Sequence, residues 1–261
     1  MRLAVFGDPI HHSLSPLLHN TALAASGLEG IYEARRVDIV GLAAAVDEIR
    51  AGRLDGGSVT MPHKEAAARL CDRLAATSSR AGAVNTLVRV DGHVIGHNTD
   101  IAGIQAAWRA ARLPSTGPVV VLGAGGAAAA AVLALEDRDV TISSRRPEAA
   151  HDLVAKLAVT ASVLPWGAPV ADAVVVNATP LGMRQEPLEP ARLAAAAGLF
   201  DMAYGAHETP AVGQMRGRGL PVADGRLMLL HQAAVAFELW TGRTAPFAAM
   251  QAALAAAPTT P

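Results

Sequence analysis

Cysteine, lysine, asparagine and aromatic residues are all scarce in this chain of 261 residues. The single cysteine, Cys71, excludes an internal disulfide framework and argues against a cysteine-based metal site. A formal net charge of −1 lacks the basic excess typical of proteins that bind nucleic acid or membrane surfaces. No apolar run reaches the ~18 residues that a membrane-spanning helix needs, and the N-terminal apolar run is too short for a signal peptide. These absences predict a soluble, cytoplasmic protein without nucleic-acid or membrane partners.

Lysine is the most informative shortage, because the chain has twenty arginines and only two lysines, Lys64 and Lys156. Lys156 lies in a stretch with a polar helical face, so we interpret it as solvated surface. Arginine stays protonated at any accessible pH, whereas lysine can lose its proton when its surroundings favour that. Lys64 is therefore a candidate for proton transfer. Asp100 is its natural partner, since an ammonium–carboxylate pair can carry one proton.

Alanine and valine are abundant, and they are arranged in alternating strand-like and helix-like segments. An uninterrupted apolar strand, Val119–Leu122, opens the second series of these segments. Continuous apolar strands that alternate with helices predict a parallel sheet covered on both faces. We therefore predict an α/β fold of two domains facing a cleft. Residues 1–99, completed by helices within 228–261, form the substrate domain, and residues 100–227 form a Rossmann-type dinucleotide-binding domain.

Two prolines mark predicted helix starts in the first domain. Ser15 and Pro16 predict a helix that runs to Ala25, with Ser15 as its cap, because proline fits the first helical position. A helix start flanked by the hydroxyls of Ser13 and Ser15 would also suit a carboxylate. Pro62 predicts a second helix, in which Lys64 occupies about the third position.

A glycine-rich turn gives the clearest nucleotide signal. The sequence Gly-Ala-Gly-Gly-Ala-Ala, residues 123–128, follows the strand Val119–Leu122 and opens a helix. This context lets backbone amides approach a pyrophosphate at the helix N-terminus. The next strand ends at Ser144, Arg145 and Arg146, where an NAD site usually has an acidic residue. Two guanidinium groups suit the 2′-phosphate of NADP instead, and they disfavour S-adenosylmethionine and thus a methyltransferase.

Eight segments, taken in their order along the chain, together resemble the shikimate dehydrogenase family over nearly the whole chain. They include Gly7–Asn20, Val59–Lys64, Gly82–Thr86, Asn98–Asp100, Gly123–Ala128, Asn177–Met183, Asp201–Tyr204 and the stretch from Gly225 through Gln232. The resemblance implies reversible NADPH-dependent reduction of 3-dehydroshikimate to shikimate, a step toward chorismate and the aromatic amino acids. It implies hydride transfer from NADPH, a proton supplied through Lys64 and Asp100, and no metal.

The resemblance also assigns further site residues. Those implied for substrate binding are Ser13, Ser15, Ser58, Thr60, Asn85, Tyr204 and Gln232. Those implied for NADP binding are Gly123, Ala124, Gly125, Gly126, Ala127, Ser144, Arg145, Arg146, Thr179, Met202, Gly225 and Met228.

Three positions depart from the family pattern. Ser58 replaces the usual asparagine and reaches less far, so one substrate hydrogen bond is lost, mediated by water or remade. Ser144–Arg146 replaces Asn-Arg-Thr and adds a positive charge, and Pro180 replaces a serine. The alternatives left open are a dehydrogenase acting on quinate or an aminoshikimate, with relaxed cofactor use, and a catalytically silent NADP sensor. The oligomeric state is also open, with a homodimer as one option.

Overall fold

Two separate sheets organise this chain, which a computed structural model describes over residues 1–205 and 207–257. Residues Met1–Gly103 and Leu229–Ala257 form the first unit, and Ile104–Met228 lie in the second. Each unit combines one sheet with helices, which confirms the predicted α/β class. Within the described ranges, no helix combines the length and the apolarity needed to cross a membrane.

The first sheet is mixed. Its strands are β1 (Arg2–Gly7), β2 (Ile31–Arg36), β3 (Gly56–Val59), β4 (Arg73–Leu74), β5 (Thr86–Val90) and β6 (His93–His97), in the order β2-β1-β3-β5-β6-β4. Strands β2, β1 and β3 run parallel, whereas β5 is antiparallel to both β3 and β6. Asp91 and Gly92 join β5 to β6 with φ values of 50° and 78°, as a two-residue hairpin turn requires.

Helices of the first unit are α1 (Ser15–Ala25), α2 (Ile39–Arg50), α3 (Lys64–Leu70), α4 (Ala76–Ala81), α5 (Asp100–Ala110), α10 (Gly225–Thr241) and α11 (Phe247–Ala256). Residues 104–110 of α5 and 225–228 of α10 belong to the second unit. Phe6 and Val59 project from the sheet into a buried cluster with Leu42 and Val46 of α2. Because strand side chains alternate between faces, Ser58 points to the face opposite Val59.

The second sheet is parallel throughout. Its strands are β7 (Val119–Leu122), β8 (Val140–Ser143), β9 (Ser162–Leu164), β10 (Val174–Asn177), β11 (Gly198–Asp201) and β12 (Val222–Ala223), with helices α6 (Gly126–Ala134), α7 (Pro147–Leu157), α8 (Pro190–Ala194) and α9 (Pro210–Gly217). The order β12-β11-β10-β7-β8-β9 is that of a doubly wound Rossmann sheet. The order in which strands are added to the sheet switches side between β7 and β10. Open α/β sheets bind ligands at such switch points.

Two predicted helix starts need correction. Helix α1 begins at Ser15 with Leu14 at the N-cap position, so Ser15 is the first helical residue and caps nothing with its side chain. Helix α3 begins at Lys64 and not at Pro62, because the amide of His63 donates to the carbonyl of Thr60 and closes a turn first. Lys64 therefore occupies the first helical position of α3.

Candidate active site

Lys64 and Asp100 meet in the first unit although they begin different helices. Lys64 Nζ donates to Asp100 Oδ2 at 2.6 Å. The Asp100 side chain is 5% exposed and that of Lys64 22%, so the pair is shielded and the ammonium retains access to solvent. Asp100 is a favourable first-turn residue for α5, whereas the dipole of α3 opposes a cation at Lys64. The carboxylate of Asp100 therefore stabilises the Lys64 ammonium, which the dipole of α3 disfavours.

The second oxygen of Asp100 is held by a carboxamide. Asn85 Nδ2 donates to Asp100 Oδ1 at 2.9 Å and to Thr99 Oγ1 at 2.9 Å. Asn85 Oδ1 accepts from the Thr99 amide at 2.8 Å and from the Thr86 hydroxyl at 3.1 Å. Gln232 of α10 closes the network, since its Oε1 accepts from Thr99 Oγ1 at 3.2 Å. Both oxygens of Asp100 are thus fixed by protein donors.

A small glycine allows α5 and α10 to approach each other within this network. A Cβ atom on Gly103 would lie 2.8 Å from Gln232 Cβ and 3.1 Å from the Gln232 amide nitrogen. The close approach carries the Gln232 side chain to Asn85 and Thr99. The predicted residues Lys64, Asp100, Asn85 and Gln232 therefore lie together.

Four predicted substrate residues lie on neighbouring segments of the same unit. Ser13 Oγ accepts from the Ser15 amide at 3.3 Å, which places the two serines side by side at the start of α1. Thr60 follows β3, and its amide donates to Phe6 O at 2.9 Å, continuing the pairing of β3 with β1. Ser58 accepts a hydrogen bond from the Tyr32 hydroxyl at 2.7 Å. Nothing in the sequence singles out Tyr32, because it is an ordinary residue of strand β2 and belongs to no motif.

The glycine turn of the second unit fits a dinucleotide pyrophosphate. Gly123 has φ +113°, and a Cβ atom there would lie 3.0 Å from Ala178 O, so only glycine is accommodated without strain. A Cβ atom at Gly125 would meet nothing within 4 Å, which leaves open space in front of the backbone. Gly125 caps α6 without a side-chain hydrogen bond, so the first amides of α6 remain available to an anion.

The register of the sheet brings the other predicted cofactor residues to the same edge. Leu122 pairs with Ser143 on one side and Asn177 on the other, and Asn177 pairs with Asp201. Ser144, Ala124, Gly126, Ala127, Thr179 and Met202 all follow the carboxyl ends of these strands. Arg145 and Arg146 are exposed beside the buried Ser144, and neither guanidinium pairs with a carboxylate among residues 1–205 and 207–257. They are free to bind a phosphate.

A buried carboxyl group ties together the loops that follow β10 and β11. Asp201 Oδ1 accepts from Asn177 Nδ2 at 2.8 Å and from the Ala203 amide at 3.1 Å, and Oδ2 accepts from the Thr209 hydroxyl at 2.6 Å. Burial raises the pKa of Asp201 to about 6, against the effect of these three donors, which lower it. Asn177 also accepts from the Thr179 hydroxyl at 2.6 Å, so Asp201 supports a predicted cofactor residue indirectly.

Three further predicted residues lie at the end of β11 and the start of α10. A Cβ atom on Gly225 would lie 2.7 Å from Met202 O, so these two backbones touch. Met228 is buried one turn further along α10. Tyr204 follows Met202 in the second unit, whereas the other predicted substrate residues belong to the first.

Comparison with known proteins identifies the family. The family model for the shikimate dehydrogenase substrate binding domain matches residues 5–87, and that for the shikimate 5'-dehydrogenase C-terminal domain matches residues 225–255. The shikimate dehydrogenase (NADP(+)) of Acidiphilium cryptum is 44% identical over 93% of this chain and 91% of that protein. The chain belongs to the shikimate dehydrogenase family. The resemblance found in the sequence is thereby confirmed.

Solved structures of the shikimate dehydrogenase family have the same fold. Shikimate 5-dehydrogenase from Thermus thermophilus, in complex with NADP(H) and shikimate, has a TM-score of 0.87 and 35% identity, with 98% of each chain covered. A 5-ketofructose reductase of Gluconobacter is also similar, with a TM-score of 0.85 and 28% identity over 98% of each chain. The second protein indicates that this fold also serves a reductase with another substrate, so substrate choice depends on individual side chains.

Proposed function

We propose that this chain catalyses the NADP-dependent interconversion of shikimate and 3-dehydroshikimate. The observation that carries the proposal is the 2.6 Å pair of Lys64 and Asp100 inside a polar network of Asn85, Thr99 and Gln232. A shielded ammonium–carboxylate pair suits a reaction in which one proton moves to or from a carbonyl oxygen. The amide and hydroxyl groups around it suit a substrate rich in hydroxyl groups.

In this mechanism side chains of the protein transfer the proton, and the hydride belongs to the bound dinucleotide. Bound NADP or NADPH would supply the hydride chemistry at the ring carbon. In the direction of reduction, Lys64 Nζ donates a proton to the carbonyl oxygen, which prevents an uncompensated alkoxide from forming. Asp100 holds that ammonium in place through the 2.6 Å hydrogen bond. Ser13 and Ser15 would bind the substrate carboxylate at the start of α1.

The residues that would hold NADP lie along one edge of the second sheet. The amides at the start of α6, reached across Gly123 and Gly125, would bind the pyrophosphate. Arg145 and Arg146 would bind the 2′-phosphate, because guanidinium groups form strong charge-assisted hydrogen bonds with phosphate oxygens. The choice of NADP agrees with the curated relatives, whose names specify NADP(+).

A direct test is the absorbance of reduced nicotinamide after mixing the protein with NADP and shikimate at neutral and alkaline pH. We expect shikimate-dependent reduction of NADP, and kcat/KM values for quinate and for reduction of 5-ketofructose at least about tenfold lower, because a buried polar site rejects ligands that leave its groups unpaired. No turnover of shikimate would contradict the proposal. Turnover of quinate at an equal kcat/KM would favour the broader quinate/shikimate activity instead.

Arg145 and Arg146 should decide the choice between NADP and NAD. Replacing both with alanine is expected to raise the KM for NADP about 10- to 100-fold, because charge-assisted hydrogen bonds contribute about 1.5–3 kcal/mol. The KM for NAD should change little, since NAD has no 2′-phosphate. Arg109→Ala with Arg112→Ala removes two exposed charges from the same unit and serves as the control. Equal changes for NADP and NAD would contradict the assigned role.

A further inference from the structure

Tyr32 and Ser58 form a hydrogen bond at the position where the resemblance to the family led us to expect asparagine. The Tyr32 hydroxyl donates to Ser58 Oγ at 2.7 Å. Both residues are buried, with 1% and 9% of their surface exposed, so water competes little for this bond. A serine side chain carries one polar atom where asparagine carries two. The phenol of Tyr32 therefore brings a second polar group to the place of the missing carboxamide.

Three neighbouring side chains hold Tyr32 in place. Asn20 accepts from the Tyr32 amide at 2.8 Å and donates to the Tyr32 carbonyl at 2.9 Å. The His19 ring stacks on the phenol at 4.4 Å between centroids, and the Trp240 ring lies at 5.8 Å. Burial lowers the pKa of His19 to about 3, so this imidazole stays neutral and packs as a ring. The position of the phenol hydroxyl is thus fixed independently of Ser58.

Ser58 borders the polar network around Asp100. In the antiparallel pairing of β3 with β5, Ser58 lies opposite Thr86. Residues directly opposite each other share one face of a sheet, with Cβ atoms about 4.5–5.5 Å apart. The Thr86 hydroxyl donates to Asn85 Oδ1 at 3.1 Å, and Asn85 donates to Asp100. The Ser58 hydroxyl therefore lies on the side of the sheet that carries the proposed substrate site.

The direction of the Tyr32 hydrogen bond limits what Ser58 can do. A serine hydroxyl has one hydrogen and two lone pairs, and one lone pair already accepts from Tyr32. Among residues 1–205 and 207–257, the hydrogen of Ser58 has no acceptor. Donation by the phenol makes it a stronger donor, because linked hydrogen bonds polarise one another. We propose that Tyr32 is a positioning residue that directs the Ser58 hydroxyl as a donor to an oxygen of the substrate ring. This inference rests on the proposed shikimate activity and adds a determinant of its ring specificity.

A double-mutant cycle of Tyr32→Phe and Ser58→Ala tests the role. Each single change should raise the KM for shikimate about fivefold, as expected for the loss of one hydrogen bond, with kcat changed by less than about twofold. Tyr32→Phe should have no further effect when Ser58 is already alanine. The KM for NADP should stay constant throughout. An equal effect of Tyr32→Phe in both backgrounds, or an unchanged KM in Ser58→Ala, would overturn the inference.

Rescue and a matched control separate positioning from general destabilisation. Ser58→Asn should restore the KM for shikimate in the Tyr32→Phe background, because a carboxamide spans the position without the phenol. If Tyr32→Phe with Ser58→Asn had a KM for shikimate as high as that of Tyr32→Phe with Ser58→Ala, the positioning role of Tyr32 would be contradicted. Ser78→Ala deletes another buried hydroxyl of the first unit, one whose single hydrogen has the Ala75 and Gly96 carbonyls as acceptors at 2.8 and 2.6 Å. It should lower the melting temperature and leave the KM for shikimate unchanged.

Isothermal titration calorimetry with shikimate separates failure of this inference from failure of the proposed function. A wild-type chain that neither binds nor oxidises shikimate overturns both. A wild-type chain that oxidises shikimate while Tyr32 and Ser58 act independently overturns only the role of Tyr32.

Discussion

Replacing Lys64 with alanine should lower kcat for shikimate oxidation about 10³-fold, because a positioned acid–base group contributes about 10²–10⁴-fold. The KM for shikimate should change far less, since Asn85 and Gln232 remain in place. The effect should therefore fall on turnover more than on binding. Steady-state rates from reduced-nicotinamide absorbance measure it, and a thermal melt verifies that the variant folds with Asp100 unpaired.

Two further lysine variants distinguish proton transfer from simple charge stabilisation. Lys64→Arg keeps a positive charge and removes the ability to release a proton, so it should also lose most turnover. Lys156→Ala removes the only other lysine, which is exposed on α7, and should leave kcat and KM unchanged. If Lys64→Arg retained wild-type kcat, positive charge alone would be the contribution of this side chain. If Lys64→Ala retained it, the proposed mechanism would be wrong.

Replacing Asp201 with asparagine should make the second unit more stable than the wild type at neutral pH. Burial raises the pKa of Asp201 from 3.8 to about 6. A carboxyl group with a raised pKa in the folded state stabilises the fold below its unfolded pKa, and that contribution is lost as pH rises through the folded pKa. A shift of this size corresponds to about 3 kcal/mol. Between pH 4 and pH 7, the wild type should therefore lose most of this, about 2.5 kcal/mol, relative to the variant.

Urea unfolding followed by tryptophan fluorescence measures this difference, because Trp108 and Trp166 both lie in the second unit. Asp152→Asn is the matched control, since Asp152 is exposed on α7 and its replacement should give a difference that does not vary with pH. A difference for Asp201→Asn that stays constant from pH 4 to pH 7 would show that the folded protein does not bury this charge. Because asparagine retains an acceptor for Asn177 and Ala203, the loops after β10 and β11 should keep their connection.

Elements with strong local signals were predicted well from the sequence. The predicted bounds of α1 and β7 match the structure, because proline, glycine and the apolar period all act between chain neighbours. Short elements such as β4, β9 and β12 were missed, since two or three residues carry no detectable period. The start of α3 was wrong because the turn at Thr60–His63 competes with the helix for the same backbone groups.

The sequence alone established the α/β class, the glycine turn, the arginines that suit NADP and the family. It also singled out Lys64, because lysine is rare in this chain and Lys64 lies in one of the segments that resemble the family. Only the tertiary structure decided that Asn85 and Gln232 fix Asp100, that Tyr32 donates to Ser58, and that Asp201 joins two loops. Turns and helix starts depend on residues adjacent in the chain, whereas these hydrogen bonds join residues brought together by strand order, strand register and the close packing of α5 on α10 at Gly103.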